Sequence, residues 1–382
     1  MIRRINIISF LIFIILGWKL NRLILPHINT YIWDLHIFFL IIFAALIIFI
    51  IPRKIKVNDL IIFSLIAILL LSSIVRSIIF DDVSGEIYYL VNYLLPIPFY
   101  FWGRYIVLKK EEYFANKLLL NIFILFIFLE SFNYISANFT SDSFINRNLG
   151  NILFQGTRSF TADLNTGDFP IFLDVVYRPL GISGTQYATS SLILGISFYI
   201  YYMKNEFFSF GNTALIIGFL LTFFYAVGTT YLIFLIIFFL ISSKKISLKL
   251  IYLPLFFIGI YSILYGKQVL DIAKFVYDYL LNISHAESNL IYFFLGGGYQ
   301  GYSDIAGEIY LLTLPFVIGI VPFILILYLL YKNISFNEFS MGHKILIIVI
   351  ILCSIHYNTL FMYPNSLIFF FIIGHLTSKQ SI

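Results

Sequence analysis

The feature that most constrains this chain is an alternation. Apolar stretches rich in Ile, Leu and Phe recur from one end to the other, and just two long polar loops, 136–186 and 265–305, interrupt them. Such stretches are long enough to cross a hydrocarbon layer of roughly 30 Å as helices. They are too long and too continuously apolar for the alternating strands of an outer-membrane barrel. With 61% hydrophobic residues, 11% charged residues and a mean hydropathy of +0.96, there is too little polar sequence to cover a water-soluble fold.

The expected fold class is therefore an all-α polytopic membrane protein with about 12 transmembrane helices and two long extracytoplasmic loops. Apolar windows place spans near 5–25, 35–51, 59–79, 87–107, 113–135, 187–203, 213–226, 228–241, 248–264, 306–331, 344–358 and 362–376. The chain divides into helices 1–5 (1–135), the first outer loop (136–186), helices 6–9 (187–264), the second outer loop (265–305) and helices 10–12 (306–382). Two pairs are short for the layer they cross: 213–241, hinged near Gly228, and 344–376, hinged near Asn358 and Pro364. Each reads as two tilted helices or as a broken, partly re-entrant pair.

Lys and Arg orient the spans. Arg53, Lys54, Lys56, Lys109, Lys110, Lys204, Lys244, Lys245, Lys249, Lys332 and Lys344 fall in alternate connections, together with Arg3, Arg4 and Lys379 at the termini. Twelve spans put all of them on one side, so both termini are expected in the cytoplasm and both long loops outside. Residues 1–18 lack a small-x-small cleavage site and run into Lys19 and Arg22, which reads as a retained first helix. The one cysteine, Cys353, has no partner for an intramolecular disulfide or a Cys-rich metal site. No basic stripe suited to nucleic acid occurs, and no cofactor or metal motif is present in the sequence.

Polar residues at the outer ends are the candidate chemistry. Arg178, in Tyr177-Arg178-Pro179-Leu180-Gly181, falls at the outer surface before the span that opens at Tyr187, with Gln186 at the end of the loop. A guanidinium there suits a diphosphate headgroup, because its planar fork makes two-point, charge-assisted contacts. An interfacial arginine snorkelling to lipid phosphates explains the same residue. Arg147 and Arg158 share the loop, and loop arginines are commonly just solvated. Arg76, near the outer end of the third span and followed by Asp81 and Asp82, is either a snorkelling anchor or part of a polar site between helices.

In the second loop, Leu295-Gly296-Gly297-Gly298-Tyr299-Gln300-Gly301 leads to Asp304 and Glu308, four residues apart at the start of a span that contains Gly319. Carboxylates at a helix N-terminus are favoured by its dipole. Glu308 also lies near the lipid boundary, where desolvation raises a carboxyl pKa toward the range of a general base. The glycine run lacks the Gly-Lys-Ser/Thr of a nucleotide loop. His285 and Glu287 show no metal-ligand spacing, and His356, Asn358 and Tyr363 fall in the last outer turn, as interfacial anchors or as lining of the same site.

This arrangement resembles the O-antigen polymerase (Wzy) family and its O-antigen ligase relatives, on the topology and on two stretches. These are Arg178-Pro179-Leu180-Gly181, and Leu295-Gly296-Gly297-Gly298 followed by Asp304, Glu308 and Gly319. Glu308 keeps the spacing to a helix glycine that a His shows in related ligases. Gly228-Thr229-Thr230 stands where many relatives have a Ser-Arg pair.

The resemblance implies metal-independent, inverting glycosyl transfer at the periplasmic face of a bacterial inner membrane, joining oligosaccharide repeat units carried on undecaprenyl diphosphate. It implies Glu308 or Asp304 as the base. Arg178 would hold the diphosphate with help from Arg76 or Arg158, and Gly181, Gln186, Gly297, Tyr299 and His356 would line the substrate. The expected partners are the lipid-linked oligosaccharides, membrane lipid and a chain-length regulator. A ligase, a lipid-linked oligosaccharide flippase and a non-catalytic membrane protein are the competing expectations.

Overall fold

The computed structural model describes residues 55–108, 123, 124, 127, 128, 131, 186–207, 213, 215–218, 220, 221, 289–298, 310–334, 341–354, 360, 361 and 365–379. Among these residues every regular element is an α-helix and no strand occurs. The described helices are α1 (Val57–Phe80), α2 (Val83–Tyr93), α3 (Phe99–Leu108), α4 (Gln186–Phe207), α5 (Asn289–Leu295), α6 (Tyr310–Ile318), α7 (Ile320–Ile334), α8 (Met341–Cys353) and α9 (Asn365–Lys379).

With 24 residues, α1 is about 36 Å long at 1.5 Å per residue. It alone among the described helices is long and apolar enough to cross a membrane by itself. Its first turn closes on Asp59, whose carboxylate accepts the Lys56 backbone N–H at 2.7 Å and places negative charge at the positive end of the dipole. It ends where Asp81 turns left-handed, at φ 50°. Asp82 then caps α2 by accepting the Gly85 N–H at 2.8 Å. Ile62, Leu65 and Leu69 of α1 are buried, whereas Leu60, Leu71, Ile74, Ile78 and Ile79 on another face are exposed. On α7 the residues Val321, Ile324, Leu327 and Tyr331 repeat the exposed apolar pattern.

Two spans expected as continuous helices are broken. The stretch 87–107 is α2 and α3 joined by a turn at 94–98, because Pro96 and Pro98 lack the N–H donors a continuous helix needs. The stretch 306–331 is interrupted between α6 and α7 at Gly319, whose φ of 89° no right-handed helix accepts. Part of the expected second loop is itself helical, as α5. The expected spans at 59–79, 187–203, 344–358 and 362–376 correspond to α1, α4, α8 and α9. Spans near 5–25, 35–51, 228–241 and 248–264 lie outside the described residues.

Glycines set the closest helix contacts. Gly374 of α9 packs on the Tyr100 backbone of α3, where an added Cβ would come within 2.7 Å of the carbonyl carbon, and Gly103 of α3 packs reciprocally on Phe371 and His375. Trp102 and Phe371 meet edge to face across this crossing, with centroids 5.2 Å apart. Similarly, α4 and α8 approach through Gly195 against Leu346 and Gly342 against Tyr199.

The helix ends sort into two groups. At one end, Asp59 binds Arg104 in a fully buried ion pair and accepts the Tyr100 hydroxyl at 2.9 Å. There the Lys56 ammonium donates to the Thr377 carbonyl at 3.1 Å, Asn58 Nδ2 donates to the Thr377 hydroxyl at 3.1 Å, and that hydroxyl lies 3.4 Å from Asn333 Oδ1. Partial burial, with the charge of Arg104 close by, lowers the Lys56 ammonium to about 8. The imidazoles of His343 and His375 stack at 5.2 Å in the same region. The starts of α1 and α8 thus meet the ends of α3, α7 and α9, so these two sets run in opposite directions.

Candidate functional site

The other end of α1 holds a buried charge cluster. Arg76 is 1% exposed, on the last turns of α1. Its guanidinium grips Glu86 of α2 with both arms of the fork, Nε donating to Oε1 at 2.9 Å and Nη2 to Oε2 at 2.8 Å. Ser73, one turn earlier on α1, donates its hydroxyl to Oε2 of the same carboxylate at 2.7 Å. Placing the pair this way depends on the Asp81-Asp82 corner, which folds the first turn of α2 back along α1.

The remaining arm of Arg76 leaves this helix pair. Nη1 donates to the carbonyls of Leu295 at 2.9 Å and Gly296 at 3.3 Å, at the C-terminus of α5. The last carbonyls of a helix have no intrahelical donor and carry the negative end of its dipole, so a cation is well suited to them. The guanidinium also lies 4.4 Å from the Tyr89 ring centroid. Arg76 is therefore buried between helices, bonded to the Glu86 carboxylate and to two backbone carbonyls.

The glycine run is built for this contact. Gly296 and Gly298 have φ of 77° and 57°. A Cβ at Gly298 would overlap the Glu86 carboxylate and come within 3.1 Å of the Arg76 guanidinium carbon. On its far side the run meets the break in the following span. Gly297 N–H donates to the Phe316 carbonyl at 2.6 Å, an acceptor that a continuous helix would offer to Ile320. A Cβ at Gly319 would lie 2.9 Å from the Phe294 carbonyl oxygen. Gly296, Gly297 and Gly298 are buried, and the N–H of Gly297 is spent on Phe316.

An aromatic wall continues from the cluster. Tyr89 stacks on Tyr93 at 4.8 Å, and Tyr93 meets Phe361 at 4.8 Å. The Tyr93 and Tyr310 hydroxyls share a hydrogen bond at 2.6 Å, tying the start of α6 to α2. Of the residues that flank 299–309 in the sequence, Gly298 lies against Arg76 and Glu86 near the α1–α2 corner, and Tyr310 is bonded to Tyr93 at the far end of α2.

Of the residues singled out from sequence, the structure places Arg76 against the glycine run at Gly296 and Gly298, while Gly297 between them bonds Phe316. Gln186 opens α4. Arg147, Arg158, Arg178, Gly181, His285, Glu287, Tyr299, Asp304, Glu308, His356, Asn358 and Tyr363 lie outside the described residues. Glu86 was not anticipated, although an arginine inside an apolar span is itself a signal that a carboxylate must be near. Among the described residues no group of three or more His, Cys, Asp or Glu is arranged to hold a metal ion.

In comparisons with known proteins, no family model, curated protein or solved structure matches this chain.

Proposed function

We propose that the chain is a polytopic inner-membrane glycosyltransferase that joins oligosaccharide repeat units carried on undecaprenyl diphosphate, a polysaccharide polymerase working at the periplasmic face. The observation that carries the reading is the meeting of Arg76 with the glycine run. It attaches the second polar loop to the end of α1 opposite the cluster of Lys56, Arg104 and Asn333. Polar loop sequence and buried charge then converge at the face away from the lysines, where a lipid-linked donor would present its diphosphate. The exposed apolar faces of α1 and α7 support lipid as their surroundings.

The reaction asks little of the protein beyond placement. An acceptor hydroxyl of one repeat unit attacks the anomeric carbon of the other. The bond to the diphosphate breaks with inversion, the hydroxyl proton passes to a carboxylate, and undecaprenyl diphosphate departs. Orientation of the two sugars and neutralisation of the departing diphosphate lower the barrier most. In this proposal Glu308, or Asp304, takes the proton, and Arg178, assisted by Arg158, holds the diphosphate. Gly181, Gln186, Tyr299 and His356 line the oligosaccharide. Arg76 has a narrower part: with its fork on Glu86 and its third arm on two carbonyls, it serves the scaffold and leaves the diphosphate to Arg178.

The test is complementation. In a strain lacking this protein, the wild-type chain is expected to restore a ladder of surface polysaccharide on a gel. Arg178→Ala and Glu308→Gln, present in the membrane at wild-type level, are expected to leave a single repeat unit on the lipid core. A normal ladder from the variants would remove both residues from the chemistry. If the wild-type chain changes only whether any repeat unit reaches the surface, the activity is ligation or export.

A further inference from the structure

We propose that Arg76 and Glu86 act as positioning residues, a clamp that seats the glycine run of the second outer loop on the α1–α2 corner and so fixes the frame from which the transfer site is built. This inference rests on the function proposed above.

The clamp differs from an ordinary buried ion pair in what it holds. Glu86 engages one edge of the guanidinium, and the edge that remains reads the backbone carbonyls of Leu295 and Gly296. Lysine carries the same charge on a single nitrogen and lacks the planar fork that joins three elements at fixed angles. The loop is shaped in return, since Gly298 sits against both charged groups where any Cβ would collide. In the sequence, Asp304 and Glu308 fall between Gly298, which is at the clamp, and Tyr310, whose hydroxyl bonds that of Tyr93 on α2. Both flanks are therefore held on α2, Gly298 against Glu86 in its first turn and Tyr310 against Tyr93 at its last residue. A catalytic group displaced by about 1 Å loses on the order of 10²-fold in rate.

The experiment uses the full chain in lipid nanodiscs, with Cys353→Ser removing the native thiol. Phe80→Cys and Tyr292→Cys carry nitroxides; their rings are 6.0 Å apart, on the two sides of the clamp, so dipolar broadening reports its closure. The substrate is an undecaprenyl-diphosphate-linked repeat unit. Arg76→Lys is expected to lose the broadening and to lower kcat by roughly 10²-fold, with KM for the donor within about twofold of wild type. Exchanging the pair, Arg76→Glu with Glu86→Arg, is expected to give no rescue, because a carboxylate would then face the two carbonyls.

A raised donor KM with broadening intact would overturn the proposal and make Arg76 a ligand contact. Broadening and kcat both at wild-type values would overturn it as well, and so would rescue by the exchanged pair. Should Arg76→Lys fail to accumulate in the membrane, Gly298→Ala tests the same seating from the loop side. A wild-type chain that transfers no sugar would sink the proposed function, while the broadening measurement would still decide whether the clamp holds the loop.

Discussion

Asp59 serves Arg104, the Tyr100 hydroxyl and the Lys56 N–H at once, and its ion pair with Arg104 is 1% exposed on both sides. At that burial the pair adds little net stability, but losing one partner strands a charge out of water. Asp59→Asn keeps the size of the side chain and an acceptor, and is expected to cost about 3–5 kcal/mol. The readout is the thermal midpoint of monodisperse protein in detergent. Asp59→Asn combined with Arg104→Met should recover much of that loss; a double variant as unstable as the single one would show that the ion pair is not the cause. Arg76 stood out in the sequence because an arginine within an apolar span must find a partner. Its partner did not: Glu86 reads as an ordinary first-turn acid at a helix start, and only the Asp81-Asp82 corner, folding α2 back along α1, makes the two neighbours. The Asp59 to Arg104 pair was hidden for the same reason, since each residue taken alone looks like an interfacial charge at the end of a span.

At the scale of elements, hydropathy located the helices and missed their breaks. A window that counts apolar residues sees Pro96, Pro98 and Gly319 as minor interruptions, whereas the backbone sees two missing donors and one left-handed residue. The break at Gly319 has a use that a continuous helix could not serve, because it frees the Phe316 carbonyl for Gly297. Gly319→Ala must strain a φ of 89° and bring a methyl to 2.9 Å from the Phe294 oxygen. Backbone strain of this kind costs on the order of 1–3 kcal/mol. Hydrogen exchange measured in nanodiscs should show faster exchange at 289–298, with α9 unaffected; unchanged protection there would mean that the break and the glycine run are independent. The crossing of α3 and α9 gives a second case. Gly374→Ala puts a methyl into the Tyr100 backbone, and overpacking of this sort typically costs about 1–3 kcal/mol. A lowered thermal midpoint is expected, larger than for an alanine at an exposed α1 position such as Leu71. Equal effects would mean that the helices can separate slightly without penalty.

For the molecule as a whole, side-chain contacts gather a set of helix ends, several of them next to lysines, at one end of the described helices. Lys56 and Asn58 at the start of α1, Arg104 in α3, Asn333 in α7 and Thr377 in α9 are linked by hydrogen bonds and one ion pair, and His343 of α8 stacks on His375 of α9. The glycine run and the α1–α2 corner sit about 25 Å away along α1, judged from the rise between Asp59 and Arg76. In the proposed reading, charge bias gives this axis a direction that would put the lysine end in the cytoplasm. Two exposed positions at opposite ends of α1 test it: Ile55, which is 59% exposed, and Ser84, at the corner after α1. In the Cys353→Ser background, Ser84→Cys is expected to react with a membrane-impermeant maleimide in intact spheroplasts, and Ile55→Cys only after permeabilisation. Reversed labelling would place the Arg76 clamp in the cytoplasm, where a donor flipped to the outer leaflet never arrives, and the polymerase proposal would fall with it. Labelling of both positions from outside would mean that α1 does not cross the membrane, and lipid would cease to be the explanation for its exposed apolar face.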